Sequence, residues 1–430
     1  MVSTKEAKEA SFRDERVHIS TADAECLRTP AQRDRDRILY SSAFRRLAVI
    51  TQVVSPQESI LVHNRLTHVL KVAQVGRRLA ERLIAQTDEK KLNALGGLNA
   101  DVVETACLAH DLGHPPFGHI AEYELDRLAR DNGLMDGFEG NAQSFRVVTT
   151  IECRKPTHDG LNLTRASLSA ILKYPWMRET AGVHAKKWGA YHSEEKDFNF
   201  ARHTSEKYEQ SLEAALMDWA DDIAYSVHDM EDFYLLGKIP LGRLSRDPDE
   251  KKSFLAYAMK KLGPLNSTQR KFYTEAAKFL FSNLPVSEAF HGEASYSLAI
   301  RAFGSQLINR FVLTTSIDKN GLKIQKTMRA RVELMKLLVW HYVIDDESLA
   351  LQQEGQKRII QSLFEIFYAG EAKLFPAPLR ERAKKAAPNT PERVRVVLDL
   401  ISGLTEQEAV HLFHRLTGIR LGAYLSANSN

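Results

Sequence analysis

Apolar positions along this chain recur with the period of the α-helix far more often than with that of the strand. Between residues 64 and 85, Leu66, Val69, Val72, Ala73, Gly76, Leu79 and Leu83 form one stripe, as an amphipathic helix requires. Val103, Ala106 and Cys107 precede His110 by seven, four and three residues and predict a second helix over 101–111. Gly113 and the pair Pro115-Pro116 stop it, since proline lacks an amide hydrogen and clashes with the preceding turn. Thr29 before Pro30 reads as an N-cap with proline at the first helical position, opening an Arg-rich helix through Leu47. Helices are also expected over 119–131 and 206–236, and several more run to the C-terminus. The last opens with Thr405 and Glu408 in capping-box spacing. Residues 86–100 read as a polar loop, and 132–160 and 175–205 as irregular segments rich in charged residues, His and Gly. Strand signals are scarce. Asn320-Gly321, flanked by TTSID and LKIQ, reads as the turn of a small hairpin. The expected fold class is all-α, a multi-helix core with additional C-terminal helices and a small β-hairpin.

Composition changes this picture little. At 430 residues the chain can bury a large core without a disulfide or metal staple. A net charge of +4, from 59 basic and 55 acidic residues, is too weak to demand non-specific nucleic-acid binding. The cysteines, Cys26, Cys107 and Cys153, are odd in number and widely spaced, which fits a reducing, cytoplasmic compartment. Cys107 is expected to serve as a small buried hydrophobe. The polar first twenty residues lack the apolar stretch of a secretory signal, and no apolar run reaches the length of a membrane span.

The candidate chemistry lies in residues 108–119, LAHDLGHPPFGH. An adjacent imidazole and carboxylate at the inner end of a helix, His110 and Asp111, can both reach one cation. A loop stiffened by two prolines holds two further imidazoles, His114 and His119, beside it. That is the layout of a metal-assisted hydrolase. A first-row divalent ion on mixed nitrogen and oxygen ligands needs three or four protein groups, with positions left open for water. His68 is a third candidate, on one face with Val72, Val75 and Leu79, although a histidine satisfied within the core has the same pattern. A fourth is expected within 217–229, where Asp221, Tyr225 and Asp229 repeat every four residues and Asp222 points a quarter-turn away. These acids alternate with Trp219, Ala220, Ile223, Ala224 and Val227, which leaves little room for a solvated face.

The order His68, His110-Asp111, Asp221 resembles that of the HD-domain metal-dependent phosphohydrolases. The runs DRDRI (34–38), SAFRRL (42–47), RLTH (65–68), HDLGHPPFGH (110–119), FEGNAQ (138–143) and ADDIAY (220–225) resemble the bacterial dGTPase-like deoxynucleotide triphosphohydrolases. The vertebrate SAM-and-HD-domain triphosphohydrolase belongs to the same group. The resemblance covers residues 28–236 closely and the C-terminal half loosely. It implies an N-terminal arm (1–27), an HD-domain phosphohydrolase core (28–236) and a C-terminal helical region packed on it (237–430). The implied reaction converts a deoxynucleoside triphosphate, dGTP included, and water to deoxynucleoside and inorganic triphosphate.

What the resemblance implies for single residues is equally definite. Mn, Mg or another first-row transition metal would be held by His68, His110, Asp111 and Asp221. Asp222 is the alternative fourth ligand, and alignment with Tyr225 and Asp229 favours Asp221. His119 and Glu122 match a catalytic His/Glu pair, a carboxylate one helical turn on fixing the imidazole tautomer. His114 is expected near the phosphates and Arg65 against the α-phosphate, where a guanidinium fork suits two phosphoryl oxygens. Tyr225 would contact substrate, Asp229 the sugar 3′-hydroxyl and Gln52 the sugar, while Val53 would crowd out a 2′-hydroxyl. Lys173, Arg301 and Arg310 are candidate triphosphate cations. A deoxynucleotide as allosteric effector, single-stranded DNA as partner and a homo-oligomeric state are further implications. His184, His192 and His203, in 175–205, match no motif. Two other readings compete. One is an HD phosphodiesterase or nuclease on nucleic-acid ends or cyclic nucleotides, for which the arginines of 28–46 and Lys384-Lys385 would supply a phosphate track. The other is a non-catalytic regulator that binds nucleotide or single-stranded DNA; a retained His119/Glu122 pair argues against it.

Overall fold

Short polar side chains set where the helices begin. A computed structural model describes residues 12–18, 27–50, 64–179, 182–202, 208–345 and 350–418. Thr29 and Gln32 form a capping box at the start of α1 (Pro30–Leu39), with Pro30 at the first position. The helix expected through Leu47 breaks at Tyr40. Ser41 accepts from the Phe44 amide and restarts the chain as α2 (Ser42–Arg46). Asn64 caps α3 (Arg65–Gln86), Asp88 caps α4 (Glu89–Ala94) and Asn99 caps α5 (Ala100–Ala109). Next come α6 (His119–Asp131), α7 (Gly140–Arg146), α8 (Arg165–Ile171), α9 (Glu195–Arg202) and α10 (Leu212–Leu235), the last behind a Ser211 cap.

Three of these helices stand where a loop or irregular segment is expected. They are α4, α7 and α9, and α7 shows why: Gly140 and all of 142–146 are buried, so no polar face alternates with an apolar one. The second half holds α11 (Leu241–Arg246), α12 (Pro248–Lys261), α13 (Ser267–Asn283) and α14 (Ala294–Thr314). The hairpin β1 (Ser316–Asp318) and β2 (Gly321–Lys323) follows, antiparallel about Asn320-Gly321. Then come α15 (Lys326–Val339), α16 (Ala350–Ala369), α17 (Ala377–Lys385), α18 (Pro391–Ser402) and α19 (Glu406–Thr417). The Thr405/Glu408 capping box opens α19 as its spacing requires. The fold is all-α.

Helices α3, α5 and α10 pack on one another, with α1 and α8 closing over α5. Val69, Val72, Val103, Ala106, Cys107, Ile223 and Val227 belong to their shared apolar cluster, which continues along α10 into α14 and α15. A second cluster joins Leu125 and Leu128 of α6 to Phe364 and Phe367 of α16 and to Val397 and Ile401 of α18. Among the described residues, no helix is long and apolar enough to cross a membrane.

One buried polar knot ties α7 to α18. Asp399 accepts from Arg146 at 2.7 and 2.8 Å and from Gln143 at 3.1 Å. Burial opposes its charge, but the Arg146 guanidinium holds its carboxyl below the usual range. Removing Asp399 takes two charge-assisted hydrogen bonds from the buried Arg146 and leaves it Glu194 as its carboxylate partner. Asp399→Ala is therefore expected to lower the unfolding free energy by about 1.5–3 kcal/mol in denaturant titration. A loss under 1 kcal/mol would mean that Arg146 finds water.

Candidate active site

The loop that follows α5 is shaped by its neighbours. The Gly113 amide donates to the Ser144 hydroxyl at 2.9 Å, and that hydroxyl lies 2.8 Å from the His110 carbonyl. A Cβ at Gly113 would sit 2.2 Å from the Ser144 nitrogen, so only glycine fits against α7. After the two prolines, Phe117 (φ 66°) and Gly118 (φ 60°) turn left-handed and deliver His119 to the first position of α6. Gly140 and Gln143 of FEGNAQ, with Ser144 just after it, thus supply the platform for HDLGHPPFGH.

Helix α5 ends at His110, whose Nδ1 lies 2.7 Å from the Cys107 carbonyl. A carbonyl only accepts, so Nδ1 carries the hydrogen and Nε2 keeps its lone pair. That buried Nε2 has no hydrogen-bond partner. Instead it faces oxygens: Asp111 Oδ1 at 3.4 Å and Asp221 Oδ1 at 3.6 Å. His68 Nε2 lies 3.2 Å from the same Asp221 oxygen. An unpartnered nitrogen lone pair among carboxylate oxygens, with its other nitrogen fixed by a carbonyl, is the donor set of a divalent-ion site. His68, His110, Asp111 and Asp221 fit that ion. Asp222 points elsewhere and pairs with Lys336 of α15.

Cations flank the cluster. Arg65 donates to Asp111 Oδ2 at 2.6 Å, and Lys173 to Asp221 Oδ2 and Asp218 Oδ1, both at 2.9 Å. Burial works against charge on either aspartate. At Asp111 the imidazoles of His110 and His114 and the Arg65 guanidinium outweigh it; at Asp221 the Lys173 ammonium does so first. Both carboxyls therefore lie well below the usual range. His114 Nδ1 is 3.1 Å from Asp111 Oδ1, and burial together with Arg65 keeps its imidazole neutral at neutral pH.

Across the cavity, His119 Nδ1 meets Glu122 Oε2 at 2.8 Å. The His119 side chain is 62% exposed and Glu122 only 8%. Lys187 bridges Glu122 and Glu139 at 2.8 and 2.9 Å. Burial opposes ionisation of Glu122, but the His119 hydrogen bond and the Lys187 charge hold it well below the usual range. An ionised Glu122 keeps the proton on Nδ1 and leaves Nε2 free to exchange one. The ring centroids of His114 and His119 are 6.0 Å apart.

Both groups open on one cavity of about 800 Å³, which Tyr225, Lys173, Lys187 and Lys336 also line. Asp229 is buried one turn beyond Tyr225 and is not among the lining residues. Burial, with Asp232 and Asp221 nearby, raises its carboxyl far above the usual range, and its Oδ2 has no hydrogen-bond partner. Gln52 and Val53, with His203, lie outside the described residues. Arg310 and Arg301 do not line the cavity; Arg310 sits 5.2 Å from the Phe279 ring. His192 pairs with Asp136, and His184 with Glu179, and neither lines the cavity. Sequence reasoning missed Lys187 and Lys336. Lys187 lies in the unplaced segment 175–205, where the Trp176 indole donates to its carbonyl at 2.6 Å, a contact with no sequence signal.

Comparison with known proteins gives a consistent answer. The HD domain family matches residues 65–226, and the phosphohydrolase-associated domain family matches residues 322–415. A deoxyguanosinetriphosphate triphosphohydrolase-like protein of Streptomyces coelicolor is 36% identical over 425 residues, covering 91% of this chain and 93% of the relative. Proteins of the same name are 34% identical in Corynebacterium efficiens, over 91% of this chain and 92% of the relative. In Shewanella sp. ANA-3 the identity is 30%, over 92% of this chain and 94% of the relative.

The geometry separates ligands from the His119 dyad. His110→Ala is expected to purify without its divalent ion, as measured by elemental analysis, while His119→Ala keeps wild-type metal content. Equal metal loss in both would mean that His119 is a ligand.

Proposed function

From membership in the deoxyguanosinetriphosphate triphosphohydrolase-like family of HD-domain proteins, to which this chain belongs, we propose that it hydrolyses deoxynucleoside triphosphates, dGTP among them, to deoxynucleoside and inorganic triphosphate. At the coarser level the chain is a metal-dependent phosphohydrolase. The observation that carries the finer reading is a proton-transfer pair, His119 and Glu122, facing a four-residue donor set across one cavity edged by lysines.

In this reading water attacks the α-phosphorus and the bond to the sugar 5′-oxygen breaks. When bound, the divalent ion supplies Lewis acidity to the α-phosphate. Arg65, which lines the cavity and donates to Asp111, offers its guanidinium to a phosphoryl oxygen. Lys173, Lys187 and Lys336 neutralise the remaining phosphates, each now paired with an acid of the protein. His119 Nε2 delivers a proton to the departing 5′-oxygen, and Glu122 stabilises the imidazole through the exchange. Tyr225 lines the sugar side, and the protonated Asp229 behind it offers a hydroxyl-like donor to the 3′-position. Residues 28–236 thus form the catalytic core, and 237–430 close the cavity from the C-terminal side. A deoxynucleotide as allosteric effector, single-stranded DNA as partner and a homo-oligomeric state belong to the same proposal.

The decisive assay incubates metal-loaded protein with each of the four deoxynucleoside triphosphates, ATP and a short oligonucleotide, followed by anion exchange. Deoxynucleoside and intact triphosphate are expected. Nucleoside monophosphate with pyrophosphate, or a shortened oligonucleotide, would favour the phosphodiesterase reading instead; no product with any metal or added deoxynucleotide would favour a binding module. His119→Ala is expected to lower kcat roughly 10²–10⁴-fold with metal retained.

A further inference from the structure

Arg46, in the run SAFRRL, carries a part-buried guanidinium that forms no ion pair with a carboxylate among the described residues. It donates instead to three backbone carbonyls: His114 at 2.8 Å, Leu112 at 2.9 Å and Leu404 at 3.1 Å. Leu112 and His114 flank Gly113 in the loop after α5, where the helix no longer satisfies its own carbonyls. Leu404 belongs to the turn between α18 and α19. Burial and repulsion from Arg65 lower the guanidinium to about 10, which still leaves it charged at neutral pH. A positive charge there also complements the negative end of α5.

A second strap joins the same two segments. The Phe117 amide, in its left-handed conformation, reaches Glu406 Oε1 of α19 at 3.4 Å. The straps stand on either side of Pro115-Pro116 and immediately precede His119. Glu406, Gln407, Val410 and His411 of α19 also line the cavity. Lysine cannot replace this arrangement, because one ammonium on a flexible stem cannot span carbonyls from two segments as a planar fork does.

We propose that Arg46 is a positioning residue for the His119 dyad: by clamping the 112–114 carbonyls to the α18–α19 turn, it makes the C-terminal helices set where His114 and His119 stand relative to the donor cluster. The kinetic part of this inference rests on the function proposed above; the conformational part does not.

The test compares Arg46→Lys, Arg46→Met and Glu406→Ala with Arg45→Met, whose exposed side chain donates, among the described residues, to the Tyr40 carbonyl of its own segment. In Arg46→Lys, kcat is expected to fall roughly 10²-fold, as for an ångström-scale misplacement, with KM and metal content little changed. Amide exchange in peptides covering 110–119 should accelerate while α3 and α10 keep their protection. Millimolar guanidinium should restore part of the activity of Arg46→Met, which a general packing role would not permit. Arg45→Met should behave as wild type. Wild-type kcat and unchanged loop exchange in Arg46→Lys would overturn the proposal, as would metal loss and global deprotection in step with activity. If Arg46→Met does not fold, Glu406→Ala decides: faster exchange at 110–119 supports the brace, and unchanged exchange overturns it. Should wild-type protein hydrolyse no deoxynucleotide, the proposed function fails while the exchange measurement still judges Arg46.

Discussion

Three helices bring imidazoles and carboxylates together around His110, α3 from its first turn, α5 from its last and α10 from its middle, and only positive charge makes that packing tolerable. The Nε2 lone pair faces two carboxylates, and a second imidazole, His68, crowds the same Asp221 oxygen. Arg65 and Lys173 offset part of the repulsion from the outer sides of those carboxylates. The centre of the cluster is left to a cation. The apolar contacts of α3, α5 and α10 determine how closely the donors approach, so the core of the fold and the chemistry of the site are one constraint.

Around that centre the protein arranges acids and bases in pairs whose charge states differ. On the donor side, carboxylates are kept ionised by fixed cations. On the other side, Glu122 is ionised by His119 and Lys187 while the imidazole stays in solvent contact. Asp229 goes the opposite way, neutralised by burial beside other acids. Identical functional groups thus take different charge states because their surroundings differ. The C-terminal helices contribute more than a wall. They share an apolar cluster with α6, which carries His119 and Glu122, and they reach the loop before it through Leu404 and Glu406.

Much of this was legible in the chain itself. The stripe of α3, the His110 stop of α5 and the four-residue spacing of Asp221, Tyr225 and Asp229 are local periodicities, and local periodicity survives folding. The proline pair marks the loop for the same reason. Helix α7 was illegible because it is buried on every side and has no polar face to contrast with. Lys187 was illegible because its partners Glu122 and Glu139 lie 65 and 48 residues away in sequence.

The sequence by itself determined the helical class and most of the helices that carry the candidate ligands, since these follow from spacing within a few turns; that His68, His110, Asp111 and Asp221 belong together is what the motif order shared with the family implies. Spacing favours Asp221 over Asp222 as the candidate ligand, and the tertiary structure shows where the two part. Both sit on α10, and only the packing of α3 and α5 on one side and α15 on the other turns the first toward His68 and the second toward Lys336. It likewise decided which lysines reach the cavity and which arginine braces the loop. Those contacts join segments whose separation no periodicity encodes; they exist because burying apolar surface brings the helices together, and charge then selects the partners.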